Sequence, residues 1–307
     1  MFKYSLDNKR YHTLNYFYRN KFNNKVFKVP LDAHMSCPNK LNGNGCIYCS
    51  NNSKSNIVNS KESIEDQFLN NIKILEKKWP NSLYIPYFQA GTNTYAPLDT
   101  LKNLFEKLLI YPKVVGLAIA TRPDTLSDEV IDYLEKLNKK TFLTIELGLQ
   151  SSNDNTLNCI KRGHNTQTFV DAVKKLQEKN IFVVAHIING LPYETEEDML
   201  NTIKLINELK LDGVKIHMLY ISKNTELADI YEKEKFHILE KEEYVNIVVK
   251  QLELLNENIV IERITGDPIK EELITPAWLL KKFCVLNDID KEMVKRDTYQ
   301  GKNVNNY

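Results

Sequence analysis

The chain has 307 residues, 42% of them hydrophobic, and a formal net charge of +1. That length suffices for one large α/β domain, or a barrel with a small appendage, whose core needs no disulfide staples. The near-neutral balance announces no nucleic-acid partner, and no apolar run approaches the roughly 18 residues of a membrane span. The N-terminus carries Lys3 and Asp7 and lacks a long apolar stretch, so no signal peptide is read there. Five cysteines, an odd number, point to a reducing, cytoplasmic compartment and to metal or redox use.

In chain order, residues 1–25 are basic and aromatic. Lys3, Lys9, Arg10, Arg19, Lys21 and Lys25 are interleaved with Tyr4, Tyr11, Tyr16, Phe17, Tyr18 and Phe22. Cations beside stacking rings suit single-stranded or looped RNA; the plainer reading is a solvated face with its rings packed inward. A strand over 26–33 then leads into a cysteine-rich loop. Helical spacing with a Ser cap predicts a helix over 63–79, and Ser-Asp-Glu opens another at 127–137. Further helices are expected over 98–109, 166–178 and 195–209. Continuous apolar runs predict strands over 83–90, 114–121, 142–149, 181–188 and 214–220. Six strands alternating with helices mean a parallel sheet covered by helices, either doubly wound or a partial barrel. In both, ligands gather at the C-terminal strand ends. The core is placed at 26–224. Residues 225–307, with helices over 240–255 and 276–294 and a short strand over 259–264, read as an extension packed on it.

Cys37, Cys46 and Cys49 form C-x8-C-x2-C in a loop with Pro38, Gly43 and Gly45. Thiolates suit iron–sulfur clusters or zinc. A structural zinc site wants four ligands, and no fourth cysteine is near; three thiolates on a cubane leave one iron open. Zinc with His34 as fourth ligand, a redox pair, and unliganded cysteines are the alternatives. Cys159 and Cys284 are isolated, and Cys159 reads as a small hydrophobe.

The chain resembles the radical S-adenosylmethionine (SAM) superfamily, in particular a bacterial branch related to the elongator-type proteins. The resemblance rests on a run of blocks: CPNKLNGNGCIYC (37–49), YFQAGTNTYAP (87–97), ATRPDTL (120–126), IELGLQSSNDNTL (145–157), KRGHN (161–165), HIINGLPYETEEDML (186–200), KIHMLYISKNTELADIY (215–231) and ITGDPIKEELITPAW (264–278). The first cysteine gap of eight departs from the superfamily's commoner three. The resemblance implies a partial (βα)6 TIM-like barrel with a mostly helical C-terminal extension. It also implies a [4Fe-4S] cluster on Cys37, Cys46 and Cys49, and cleavage of SAM to a 5′-deoxyadenosyl radical. An electron donor such as flavodoxin or ferredoxin is expected.

In that frame, Tyr48 lies beside the cluster. Gln89, Ala90, Gly91 and Thr92 end the second strand, where small residues let backbone carbonyls approach the SAM amino group. Glu146 and Gln150 flank the end of the fourth strand and suit the ribose hydroxyls. Arg162 suits the SAM carboxylate, and Ile188 and Asn189 the adenine side. His186 and His217 are the substrate-contact and catalytic candidates. By the same resemblance the substrate is tRNA, at the C5 side chain of the wobble uridine, with carboxymethylaminomethyl-uridine processed toward aminomethyl-uridine. A radical SAM enzyme for a protein or metabolite, and a non-catalytic zinc-binding nucleic-acid module, are the alternatives.

Overall fold

The computed structural model describes residues 3–4, 8–43, 45–49 and 62–304. Its helices are α1 (Leu14–Phe22), α2 (Pro38–Leu41), α3 (Ile64–Lys78), α4 (Leu98–Glu106), α5 (Asp128–Asn138), α6 (Asp154–Cys159), α7 (Thr166–Glu178), α8 (Glu196–Glu208), α9 (Glu226–Lys233), α10 (Lys241–Leu254) and α11 (Lys282–Lys295). The strands are β1 (Val26–Leu31), β2 (Leu83–Phe88), β3 (Gly116–Thr121), β4 (Phe142–Gln150), β5 (Phe182–Asn189), β6 (Gly213–Met218), β7 (Ile221–Ser222), β8 (Val260–Arg263) and β9 (Leu273–Thr275). The two predicted caps form: Ser63 accepts from the Asp66 amide and Ser127 from the Val130 amide; a capping box of Thr195 and Asp198 is added by the structure.

Seven strands form one parallel sheet in the order β1-β2-β3-β4-β5-β6-β8, curled into a partial barrel with helices outside. The apolar runs predicted the first six. The seventh, β8, comes from the segment read as an extension, and pairs with β6 as a full member of the sheet. β7 and β9 make a separate antiparallel pair. The core is continuous between sheet and helices, with Phe88, Phe105, Leu117, Leu147, Phe169 and Ile203 fully buried. No helix among the described residues is long and apolar enough to cross a membrane.

The N-terminal segment is corrected by the structure. Its rings pack inward: Tyr4, Tyr11 and Tyr18 are buried, and Phe17 lies against Phe142 and Phe182. Several of its cations are engaged as well. Lys3 pairs with Glu257, Lys9 with Asp290 and Arg10 with Asp297, while Lys25 sits over Trp79. A ring that fills the core offers no face to a nucleobase, so this segment closes the N-terminal side of the barrel. Tyr11→Ala is accordingly expected to lower stability by about 3–5 kcal/mol, read by urea unfolding. An unchanged midpoint would contradict the packing.

Candidate active site

A cavity of about 650 Å³ opens at the C-terminal ends of the strands, where partial barrels of this kind place their chemistry. A second hollow of similar size, about 670 Å³, lies near the opposite strand ends and is lined by Lys21, Lys139 and Lys140 among others; it holds no cysteine or histidine. The first is chosen for its side chains.

Cys37, Cys46 and Cys49 all line it, brought there by the loop after β1. Cys37 precedes α2, which starts on Pro38, and the Lys40 and Leu41 amides bond back to the Cys37 carbonyl. Burial pushes the Cys37 thiol up, but the Thr92 side chain, Arg122 and the Asn39 and Lys40 backbone together hold it below its ordinary value. Burial raises the Cys49 thiol. Around Cys46 the loop is latched to residues 161–162. Asn39 Nδ2 stands 3.5 Å from Cys46 Sγ and 2.8 Å from the Lys161 carbonyl. Among the described residues, no three His, Cys, Asp or Glu side chains converge tightly enough for a single metal ion; the three thiols border a cavity rather than a point. His34, the fourth ligand of the zinc reading, has its Nδ1 3.6 Å from Asp32 Oδ1.

Tyr48, Gln89, Ala90, Gly91, Thr92, Gln150, Arg162, His186 and His217 join the cysteines on the cavity wall. Gly91 has φ +77°, and a Cβ there would meet the Met35 carbonyl oxygen at 2.2 Å. The chain can approach so closely only as glycine. Arg162 is buried, with Nη2 donating to the Gly148 carbonyl at 2.7 Å and Nη1 3.8 Å from Cys46 Sγ. Among the described residues its Nε has no partner. Gly148 makes room for it, since a Cβ there would lie 2.4 Å from Nη2. Arg122, buried behind, donates to the Arg162 carbonyl and holds Asp124 in a two-point ion pair.

Three expected contacts are not brought to the wall. Asn189 is buried in a reciprocal amide pair with Gln251, both bonds 2.8 Å. Ile188 packs in a neighbouring apolar cluster. Glu146 is fully buried, and its carboxylate is consumed by Lys28 on Oε1 and by Tyr87, His186 and Lys215 on Oε2. Held by these four partners, Glu146 is buried and does not line the cavity, away from where a ribose hydroxyl would reach. Burial opposes its charge, yet Lys215 and Lys28 outweigh it and hold the carboxyl well below the usual range. Lys28 also binds both oxygens of Glu262, at 2.7 and 2.6 Å. Burial lowers the pKa of His186 and of His217, keeping both imidazoles neutral. Cys159, expected as a small hydrophobe, is exposed, as is Cys284.

Sequence reasoning missed Lys28, Lys215, Glu262 and Arg263. The available signal was a charged residue inside each of three strand runs, VFKVPL, GVKIHM and VIER. In a sheet covered on both faces such a charge must find partners inside.

A curled parallel sheet with three cavity-facing thiols, buried guanidinium groups and a glycine-assisted backbone approach defines a cofactor-dependent enzyme of partial-barrel type. The sequence profile of the Radical SAM superfamily matches residues 37–206, and that of the Radical SAM C-terminal domain matches 211–295. The chain belongs to the radical SAM superfamily, and its cofactors are a [4Fe-4S] cluster and SAM.

Among its relatives, the uncharacterized protein YtqA of Bacillus subtilis is 43% identical over 305 residues, covering 98% of this chain and 95% of YtqA. A tRNA uridine(34) acetyltransferase of Methanocaldococcus infernus is 27% identical over 158 residues, half of this chain and 29% of that protein. In fold, the chain is similar to the Elp3 structure of Methanocaldococcus infernus, with TM-score 0.68 and 21% identity. That match covers 90% of this chain and 64% of Elp3, so the chain spans under two thirds of that structure.

Proposed function

We propose that this radical SAM enzyme acts on tRNA, at the C5 side chain of the wobble uridine, and converts carboxymethylaminomethyl-uridine to aminomethyl-uridine. Two electrons pass from the carboxymethyl N–CH2 unit to SAM, which ends as methionine and 5′-deoxyadenosine. Water hydrolyses the resulting imine, breaking the N–C bond and releasing glyoxylate. The observation that carries the substrate class is the partial match to an enzyme named for uridine 34 of tRNA. The N-terminal rings, once the other support for RNA, are committed to the core and contribute nothing to this reading.

On this reading Cys37, Cys46 and Cys49 would hold the cluster. The cluster, when bound, supplies the electron that breaks a carbon–sulfur bond of SAM, drawn from a low-potential donor such as flavodoxin or ferredoxin. The donor set fits: three soft thiols, the Gln89–Thr92 segment, whose backbone carbonyls suit an amino group, and the Arg162 guanidinium, which suits a carboxylate. Tyr48 packs at the cysteine loop, and Gln150 offers its amide to the nucleoside. His186 and His217 stand as neutral imidazoles toward the substrate.

The test is nucleoside mass spectrometry of tRNA from a deletion strain. Carboxymethylaminomethyl-uridine should accumulate, aminomethyl-uridine and what derives from it should fall, and a plasmid copy should restore both. An unchanged nucleoside profile overturns the proposal and favours a protein or metabolite substrate.

A further inference from the structure

β8 enters the main sheet out of step. Val214 on β6 faces Ile261, but the next residue, Lys215, faces Arg263, so Glu262 is skipped in the register. Successive strand residues point to opposite faces. A slip of this kind re-aims a side chain, and such slips recur beside active sites. Here it lets two consecutive residues serve the interior. Glu262 is buried on Lys28 and Lys215, while Arg263 lines the cavity with its side chain 37% exposed. A register row then runs Gly148, His186, Lys215, Arg263 across β4, β5, β6 and β8. His217 stands one turn of the pleat further along β6 and also faces the cavity.

The charges on this wall do not cancel. Glu146 and Glu262 match the two buried lysines, Lys28 and Lys215. Asp267 alone serves both Arg263, at 3.1 Å, and Lys282, at 2.7 Å. Within these ion pairs one positive charge is left over, and Arg263 carries it into the cavity. Among the described lining residues, Asp32 is the one carboxylate, and its Oδ1 accepts from the His34 amide. Beside the internally paired Lys215, the Arg263 guanidinium and the neutral His217 imidazole invite an oxyanion, which a guanidinium binds in bidentate fashion.

We propose that His217 and Arg263 form a receptor for an oxyanion group of the substrate, a carboxylate or a phosphate. This rests on reading the cavity as the substrate chamber; with tRNA as substrate, the group is the terminal carboxylate of the uridine side chain. The test uses the reconstituted holoenzyme with SAM. It is titrated with tRNA bearing carboxymethylaminomethyl-uridine, with the same tRNA after conversion of that carboxylate to its methyl amide, and with unmodified tRNA. Radiolabelled acetate and inorganic phosphate are followed in parallel by equilibrium dialysis. Wild type should hold the carboxylate tRNA roughly tenfold or more tighter than its amide, and should bind acetate saturably. Arg263→Gln should erase both effects. His217→Asn, which disturbs none of the ion pairs above, should weaken acetate in the same direction, so a misfolded Arg263→Gln protein does not decide the result. Arg263-dependent phosphate binding with no preference among the tRNAs assigns the receptor to a phosphate. Arg263-dependent anion binding without any tRNA binding keeps the receptor and overturns the tRNA reading. Small anions that bind both variants like wild type, or bind none of the three proteins, overturn the receptor even where tRNA binds.

Discussion

Replacing Cys37, Cys46 or Cys49 singly by Ala is expected to abolish both iron binding and SAM cleavage, while Cys159→Ala and Cys284→Ala leave both at wild-type levels. Three thiolates are the minimum that holds a cubane and keeps one iron open, so losing any one leaves two protein ligands and a solvent-exposed cluster edge. No substitute is at hand: Cys159 and Cys284 are exposed and lie off the cavity. Iron and sulfide content, the visible absorbance of the anaerobically reconstituted protein, and 5′-deoxyadenosine release give three independent readouts. A Cys46→Ala protein with full iron content would sink the ligand assignment, because Cys46 is the cysteine latched by Asn39 and Arg162.

Glu146→Ala is expected to be the most destabilising single substitution in the barrel interior, by about 3–5 kcal/mol. Four side chains converge in the network: Glu146 is 0% exposed, Glu262 1%, Lys215 9% and Lys28 10%. Removing one carboxylate leaves two buried ammonium groups on Glu262 alone, and strips His186 and Tyr87 of their acceptor. Set beside a typical total stability of about 5–15 kcal/mol, the loss is a large fraction. The double variant Glu146→Gln with Lys215→Met, which removes one charge of each sign, should recover much of it. The pH dependence follows in sign. The carboxyl is held well below its unfolded value of about 4.3, so its stabilisation is fully present above that value. It is lost as pH falls toward and through the folded pKa. Wild type should therefore lose more stability between neutral and acid pH than the double variant does. Equal urea midpoints for wild type and Glu146→Ala would show that the network contributes no net stability.

Much of the barrel was legible in the residue order. Apolar runs such as GLAIAT in β3 can only be strands buried on both faces, and Ser63, Ser127 and Thr195 mark helix starts through bonds made within four residues. The cysteine loop was legible for a similar reason: its three thiols lie within thirteen positions of one another and all border the cavity. Local hydrogen bonding and periodicity are short-range, so the sequence displays them directly. Other features required the three-dimensional arrangement. VIER lies in a short strand read from the sequence as part of an extension, yet β8 completes the main sheet because β6 offers it a parallel edge. The N-terminal Lys and Tyr pattern fits an exposed RNA platform as well as a packed lid, and only the positions of Phe142, Phe182 and the partner acids decided it. Glu146 was singled out by its strand position, but its role depended on Lys28, 118 residues away, and Lys215, 69 residues away. Composition and spacing determined the element types and the grouping of three thiols in one loop. Which charges meet inside the barrel was decided by tertiary structure alone, because a buried ion pair forms between strands whose separation along the chain leaves no local trace.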